Sequence, residues 1–392
     1  MNASIVRLAD LLRRPPRYGI NAAAVPRALG LPTYIRITDI DDEGRFTPSP
    51  KVAVNDRRSM SYALRPGDLV FARTGASVGK SYLYDSSDGE LVYAGFLINV
   101  TPDASRLNPK YLSLFAHSKA YWDWVARMSA RSGQPGINGR EYGQLPIPLP
   151  DIQTQTRIAE VVGDLDELIV SLERLITKKQ AIKEGMMQGL LTGRTRLPAF
   201  DGEWNDVSLG SIATVTMGQS PPGATYNSDG HGTSLVQGNA DIRDRVTFDR
   251  VWTTAPTKLC KRGDVILTVR APVGYTAIAS RASCLGRGVC ALSTKSDNRF
   301  LFHALVYVEP SWALYEQGST FTAVNSNEVR SFTLRWPADA DERSAIARVL
   351  DDAEDELRIL ELRLGKARAI KQGMMQELLT GRTRLPVQEA VA

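Results

Sequence analysis

Apolar residues recur at alternating intervals of three and four residues along two long stretches of the chain. The first stretch has one row of Ile158, Leu165, Leu172 and Met186 and a second row of Val162, Ile169, Ile176 and Leu190. The second stretch has Ile346, Ala353, Leu360, Ala367 and Met374 in one row and Leu350, Leu357, Leu364 and Leu378 in the other. This spacing, sustained over about four heptads, predicts two long helices that pair as a coiled coil. An ordinary core helix is the alternative, but it would need a much larger domain to cover it.

The two helical stretches are copies of each other. Residues 158–198 and 346–386 align at a constant offset of 188 residues, and the last 18 positions differ only at Glu184/Gln372 and Gly189/Glu377. Two copies are too few for a solenoid, which needs about three. The repeat therefore predicts one pseudo-symmetric molecule with two equivalent halves.

The signals that start and stop a helix are repeated as well. Asp151 and Asp339 suit the N-cap, and Glu342 follows the second of them by three residues, as in a capping box. The predicted stop signals are Gly193 and Pro198 in the first copy and Gly381 and Pro386 in the second. Each predicted helix has about 34 residues and is roughly 50 Å long.

The remainder of the chain forms two globular regions, head 1 (residues 1–150) and head 2 (residues 199–337). In head 1, apolar segments bounded by turns predict strands, and a helix and a Gly/Pro-rich loop follow them. The strands lie within 33–41, 64–75, 80–84 and 89–100, the helix spans 108–128 and the loop spans 130–150. Head 2 repeats this framework with different residues. The helical segments are 151–198 and 338–392, and the fold class is α+β.

Composition narrows the class of protein without deciding it. The chain is 43% hydrophobic and 23% charged, as in ordinary globular proteins, with a formal net charge of +5 and a pI of about 9.0. This mild basicity is compatible with nucleic acid. Three cysteines without paired spacing argue against a disulfide framework or a zinc site. Without a disulfide pattern, a reducing cytoplasm is the expected location. No apolar run approaches the roughly 18 residues of a membrane span.

Several local patterns imitate catalytic motifs. The segment at 75–81, GASVGKS, has three residues between its glycines where a phosphate-binding loop needs four. In SPPG at 220–223, Gly223 stands where an amino-methyltransferase has an aromatic residue that would stack on the base. The three histidines are scattered, and no hydrolase or metalloprotease pattern is present. We therefore predict no catalytic residue and no metal ligand.

Two sets of loops combine glycine with side chains that bind nucleic acid. They lie at 73–80 and 131–141 in head 1 and at 269–275 and 317–328 in head 2. Glycine lets a backbone approach a phosphate, while Arg, Asn and Gln are the residues that read base edges. Plain loop composition is the alternative. The predicted DNA-binding residues are Arg36, Arg73, Thr74, Ser77, Lys80, Arg131, Gln134, Asn138, Arg140, Gln237, Asn239, Arg270, Tyr275, Thr322, Asn325 and Asn327.

Two divergent heads, each followed by a nearly identical helix ending in GMMQ-x-LLTGRTRLP, resemble the specificity subunit of a type I restriction–modification enzyme. The shared Gly-Asp-Leu/Val turn and the G-x-N-x-x-E loop of head 1 add to the resemblance, which covers essentially the whole chain. It implies two target recognition domains joined by an antiparallel coiled coil, each reading half of a bipartite sequence in double-stranded DNA. Such subunits dock two modification subunits, which carry S-adenosylmethionine, and restriction subunits add ATP- and Mg-dependent steps. This chain would then hold no cofactor.

The repeated helix ends are the predicted docking surface for the modification subunits. The predicted partner-binding residues are Lys183, Met187, Gln188, Arg194, Arg196, Lys371, Met375, Gln376, Arg382 and Arg384. Two alternatives stay open from the residues alone. In the first, the chain is an enzyme and each head carries an active site. In the second, it is an interaction protein whose heads bind other proteins and are carried on a coiled-coil rod.

Overall fold

A computed structural model describes residues 4–130, 136–312 and 323–379. The chain divides into two compact units. Unit 1 comprises Met1–Leu172 and Arg363–Ala392, and unit 2 comprises Glu173–Leu362. Each unit therefore contains one head, half of the first repeated helix and half of the second.

Head 1 contains ten short strands and three helices among its described residues. The strands are β1 Ser4–Arg7, β2 Arg17–Tyr18, β3 Ala24–Pro26, β4 Thr33–Ile35, β5 Val52–Val54, β6 Leu69–Ala72, β7 Ser81–Leu83, β8 Leu91–Tyr93, β9 Leu97–Val100 and β10 Pro146–Leu149. The helices are α1 Pro109–Phe115, α2 Lys119–Ser129 and α3 Gly139–Gly143. Two four-stranded sheets have the orders β2-β9-β6-β7 and β3-β5-β4-β8, and β1 pairs with β10. Within the second sheet, β4 and β8 are parallel.

The central strand β6 is buried on both faces, which explains its unbroken apolar sequence. Successive side chains of a strand point to opposite faces. Leu69 and Phe71 accordingly pack in the cluster that contains the helices, and Val70 and Ala72 pack in the cluster beneath the other face. In head 2, Val265 and Leu267 lie in the helix-side cluster.

The structure corrects three sequence predictions in head 1. The predicted helix at 108–128 is two helices, because Ser118 caps the start of α2 by accepting a hydrogen bond from the amide of Tyr121. The predicted strand at 33–41 ends at Ile35 and continues as a short 3-10 turn. The predicted loop at 130–150 contains α3 and β10 within its described part.

Head 2 follows the same plan. Its strands are β11 Trp204–Ser208, β12 Thr214–Met217, β13 Tyr226–Asn227, β14 Thr233–Val236, β15 Ile242–Arg243, β16 Val246–Thr247, β17 Trp252–Thr253, β18 Leu259–Cys260, β19 Val265–Thr268, β20 Thr276–Ile278, β21 Ser283–Leu285, β22 Val289–Ser293 and β23 Thr333–Pro337. Its helices are α5 Leu209–Ile212, α6 Asn298–Val308 and α7 Ser326–Ser331. The sheets have the orders β12-β22-β19-β20-β16-β15 and β13-β17-β14-β21-β18, and β11 pairs with β23. Strand β19 therefore occupies the place of β6.

The two repeated helices are α4, Ile152–Leu190, and α8, Ala340–Leu379. They have 39 and 40 residues, somewhat more than predicted. Asp151 accepts from the amide of Thr154 and Asp339 from the amide of Asp341, which confirms both predicted N-caps. No described helix is both long and apolar enough to cross a membrane.

The ends of the long helices are part of the cores of the heads. In unit 1, Ile158 and Val162 near the start of α4 pack in one cluster with Met375, Leu378 and Leu379 at the end of α8. The equivalent set in unit 2 lies in the core of head 2, with α8 contributing its start and α4 its end. That set is Ile346, Leu350, Met187, Leu190 and Leu191.

Matched ion pairs show that the helices run antiparallel in each unit. Lys371 contacts Asp166 at 2.6 Å in unit 1, and Lys183 contacts Glu354 at 3.1 Å in unit 2. These pairs are copies of each other at the offset of 188 residues. A further ion pair in unit 2 joins Lys179 to Glu356 on α8. As residue numbers rise along α4, the contacted residue numbers fall along α8.

A buried carboxylate fastens the start of α8 to the segment that follows α4. Glu342 is fully buried and accepts two hydrogen bonds from the guanidinium of Arg196, at 2.7 and 2.9 Å. The capping box predicted from Glu342 is therefore replaced by this pair, since Asp339 caps without it. Arg196, predicted to bind a partner, has its side chain engaged inside the protein.

Removal of the Arg196 guanidinium leaves a buried carboxylate without its counter-charge. We expect Arg196→Ala to lower the free energy of unfolding of unit 2 by roughly 3 kcal/mol, measured by urea denaturation. Arg358, which pairs with Asp355 where both side chains are about two-thirds exposed, provides the control. Arg358→Ala should change the same quantity by less than about 1 kcal/mol. Equal effects of the two substitutions would contradict the assignment.

Candidate nucleic-acid interface

Backbone hydrogen bonds bring the two predicted DNA-binding loops together in each head. In head 1, the amide of Ile137 donates to the carbonyl of Arg73 at 2.8 Å, and Thr74 forms a bridge with Gly136. In head 2, the amide of Val324 donates to the carbonyl of Val269 at 2.9 Å. In each head, the described parts of the two loops therefore lie side by side.

The G-x-N-x-x-E pattern is a capping box for a short helix. In head 1, Asn138 accepts from the amide of Glu141 at 2.9 Å, and Glu141 accepts from the amide of Asn138 at 2.8 Å. Asn325 and Glu328 form the same reciprocal pair in head 2 at 3.1 and 2.7 Å. The side-chain oxygens of these asparagines, which belong to the predicted DNA-binding set, accept the capping hydrogen bonds.

Three predicted cations of head 1 are held by neighbouring groups. Arg36 forms a two-point ion pair with Asp39, whose carboxylate is buried. This hydrogen bonding raises the pKa of Arg36, which stays charged. Lys80 contacts the exposed Asp42 at 2.8 Å and donates to a backbone carbonyl. The guanidinium of Arg73 lies 4.9 Å from the centroid of the Tyr18 ring.

The other predicted residues fall into three groups. Arg140, Asn239, Arg270 and Asn327 are exposed, and Thr74, Ser77, Gln237 and Tyr275 are half-buried. Arg131, Gln134 and Thr322 lie outside the described residues, as do Arg382 and Arg384 of the partner-binding set.

Two residues of head 2 that contact predicted DNA-binding residues were not themselves predicted. Asp241 is buried in head 2 at the place of Asp39 and accepts from Arg250, which lies nine residues later in the chain. Arg245 lies over the ring of Tyr275 at 4.8 Å. The matched segments 33–40 and 233–242 both end in Asp-Ile, and this shared pair was the sequence feature that indicated Asp241.

A charged cluster in unit 2 joins helix α6 to helix α8. His303, almost fully buried, lies 2.7 Å from Asp351, and Arg299 also donates to that carboxylate. Burial alone would raise the pKa of Asp351, but the hydrogen bonds from His303 and Arg299 outweigh it and lower the pKa to about 2. Glu354 lies beside this group and contacts Lys183. Because the guanidinium of Arg299 binds Asp351 and the ammonium of Lys183 binds Glu354, the cluster serves as an ion-pair network rather than a metal site.

The predicted partner-binding residues divide between the interior and the surface. Met187 and Met375 belong to the cores of the heads, which corrects their assignment as partner contacts. Lys183 and Lys371 form the matched ion pairs between the helices. The exposed members among the described residues are Gln188, Gln376 and Arg194.

This chain is similar to known proteins both in sequence and in structure. A model of the type I restriction modification DNA specificity domain matches residues 55–184 and 201–365, well over half of the chain. The chain belongs to the type I restriction–modification DNA specificity family. It is a subunit for DNA recognition in such a system, which favours DNA reading over the two alternatives left open by the sequence.

Individual relatives agree with this assignment. The putative type I restriction enzyme MjaX specificity subunit of Methanocaldococcus jannaschii is 29% identical over 343 residues, which cover 83% of this chain and 80% of that protein. A chain from work on complex assembly and conformational transition of the type I R-M system is 26% identical. It covers 97% of this chain and 98% of its own length, with a TM-score of 0.60. The HsdS subunit from Thermoanaerobacter tengcongensis, at 24% identity, has a TM-score of 0.52 over 97% of both chains and supports the fold.

Two substitutions of Asn138 distinguish a role in helix capping from a role in base reading. Serine is also a good N-cap, whereas alanine is not, so Asn138→Ala should lower the free energy of unfolding by about 1 kcal/mol and Asn138→Ser by much less. Because the cap occupies the side-chain oxygen, we expect Asn138→Ser to keep the sequence preference of DNA binding. The checks are urea denaturation and competition binding with altered duplexes. Loss of preference at one base pair in the serine variant would assign the amide to base reading instead.

Proposed function

We propose that this specificity subunit reads a bipartite, asymmetric DNA sequence with one half-site per head. It docks two copies of an adenine methyltransferase subunit on its repeated helix ends and performs no chemistry itself. In this proposal S-adenosylmethionine, ATP and Mg belong to the partner subunits, restriction subunits join through the methyltransferases, and the protein works in the cytoplasm. The observation that carries the docking is the pattern of burial in the repeat.

Residues 181–191 and 369–379 have the same pattern of burial position by position. Their buried residues, such as Leu190 and Leu378, are identical because they fill equivalent cores. Their exposed residues are nearly as well matched, although no core requires it. We define the twin patch as the exposed positions that are identical in both copies, namely Ala181, Ile182, Gly185 and Gln188 with Ala369, Ile370, Gly373 and Gln376.

The glycine at the centre of the twin patch is an argument that a partner helix docks at this surface. Gly185 and Gly373 lie inside long helices, where glycine is about 1 kcal/mol less favourable than alanine. A Cβ added at either position meets nothing within 4 Å, so packing inside the chain does not demand glycine. Beside them, Ile182 and Ile370 remain 43% and 53% exposed. A glycine flanked by an exposed isoleucine lets the backbone of a partner approach closely and supplies apolar surface for it.

The heads support an asymmetric target because they use different side chains on one framework. Lys80 of head 1 corresponds to Tyr275 of head 2, and these two residues contact Asp42 and Arg245 respectively. Lys and Arg contacts with phosphates position each head, and loop side chains in the grooves specify bases. Heads with different side chains at matching positions read different half-sites.

Substitution in the twin patch tests the stoichiometry. Gly185→Leu and Gly373→Leu should each reduce the methyltransferase content of the co-expressed complex from two copies to one, and the double variant should bind none, as measured by native mass spectrometry. A leucine side chain blocks close approach of the partner without entering a core. Gly365 is the control, because it is equally open but Thr177 replaces it in the other copy, so Gly365→Leu should retain two copies. Two bound copies in the double variant would overturn the docking site.

A further inference from the structure

Three side chains of head 1 lie together where the strands of the sheet β2-β9-β6-β7 begin or end, next to the predicted DNA-binding loops. Arg73 follows the end of β6, Tyr18 ends β2, and Phe96 immediately precedes β9. Tyr18 and Phe96 are 41% and 56% exposed. We call Tyr18, Arg73 and Phe96 the aromatic edge.

Hydrogen bonds and stacking hold the aromatic edge in place. The guanidinium of Arg73 lies over the Tyr18 ring at 4.9 Å, and the Tyr18 hydroxyl accepts from the amide of Gly139 at 3.0 Å. The amide of Arg73 donates to the carbonyl of Phe96 at 3.0 Å. Tyr18 therefore links the loop after β6 to the capped turn before α3, and its ring orients the guanidinium of Arg73.

The three positions of head 2 that correspond to the aromatic edge, all within the described residues, carry neither an aromatic residue nor an arginine, although the backbone is arranged in the same way. Val269 donates to the carbonyl of Gly288 at 2.9 Å, just as Arg73 donates to that of Phe96. It also accepts from the turn before α7, as Arg73 accepts from the turn before α3. Val269 thus takes the place of Arg73, and Gly288 takes the place of Phe96.

The third position shows the same replacement. Tyr18 pairs with Ile98 on β9, and Met217 pairs with Cys290 at the corresponding place on β22. Val269 and Met217 both pack with the core of head 2. The arginine nearest to Val269 along the chain of head 2 is the exposed Arg270, one residue later, and neighbouring residues of an extended chain project to opposite sides. The two heads therefore present arginine in different directions from matched frameworks.

We propose that the aromatic edge contacts bases in the half-site that head 1 reads, and only there. Arg73 donates to a base edge, Tyr18 is the positioning residue that presents it, and Phe96 contacts the apolar surface of a neighbouring base. Planar guanidinium groups pair with base edges at two points, and phenyl rings contact thymine methyl groups or insert at a base step. This inference rests on the proposed function, because it requires that head 1 reads DNA.

The test uses the full chain in complex with its methyltransferase and a library of duplexes randomised at both half-sites. Arg73→Lys keeps the charge but loses the two-point geometry, and Phe96→Ala removes only exposed surface. Each variant should lower affinity for the preferred duplex by roughly 5- to 150-fold, the range of one base contact, and relax preference in one half-site. Arg270→Ala should affect the other half-site. Leu29→Ala is the control, because Leu29 is fully exposed in head 1 between β3 and β4, on the other sheet.

Tyr18 variants test positioning separately from folding. Tyr18→Leu should relax the same half-site as Arg73→Lys, while Tyr18→Phe, which keeps the ring under the guanidinium, should restore most of the preference. Replacement of thymine by uracil, or fluorescence of 2-aminopurine at each step, identifies the base surface that Phe96 contacts. A response in either assay that is lost in Phe96→Ala supports the contact, and no response in both excludes it.

The outcomes separate this inference from the function on which it rests. Wild-type preference in both half-sites, with unchanged preference in Arg73→Lys and Phe96→Ala, would overturn the aromatic edge and leave DNA reading intact. A uniform loss on all sequences would reduce Arg73 to a phosphate contact and would also overturn it. Absence of any sequence preference in the wild-type complex would instead refute the proposed function.

Discussion

The structure depends on the burial of helix ends in the cores of the heads. Met187, Leu190 and Leu191 complete the core of head 2, and Met375, Leu378 and Leu379 complete that of head 1. A buried leucine contributes about 1.5–3 kcal/mol relative to exposure, so several such residues weigh heavily against a total stability of about 5–15 kcal/mol. This internal requirement keeps one side of the repeated sequence the same in both copies and leaves the loops of each head free to differ.

The heptad pattern and the flanking aspartates allowed the long helices, their pairing and their N-caps to be predicted, because periodicity and capping act locally. The antiparallel direction was implied only by the resemblance to specificity subunits. The roles of Lys183, Lys371, Arg196, Met187 and Met375 were not predictable in this way. Their repetition looked like the mark of a partner, but the same repetition arises when two equivalent cores and two equivalent ion pairs must form. Only burial separates the residues repeated for the fold from those, such as Gly185, that packing leaves unexplained.

The candidate DNA surface combines loops predicted from the sequence with side chains that only the folded structure brings beside them. Glycine-rich loops with Asn and Arg predicted a DNA surface in each head, and the structure joins the described parts of these loops by backbone hydrogen bonds. Tyr18 and Phe96 were not among the predicted residues, because strand pairing brings them to Arg73 from sequence positions 55 and 23 residues away. Asn138 and Asn325 were chosen for base-reading chemistry, yet their oxygens cap short helices, a local role that the Asn-x-x-Glu spacing itself indicates.

The central claim is that each head reads its own half-site on a shared framework of helix ends. Its most direct test is a chain in which residues 199–337 are replaced by the equivalent residues of head 1, expressed with the methyltransferase, followed by mapping of methylated adenines. Because the helix ends that complete both cores are nearly identical, the chain should fold and direct methylation to a target containing the head 1 half-site twice. Methylation at the original asymmetric target would contradict the account.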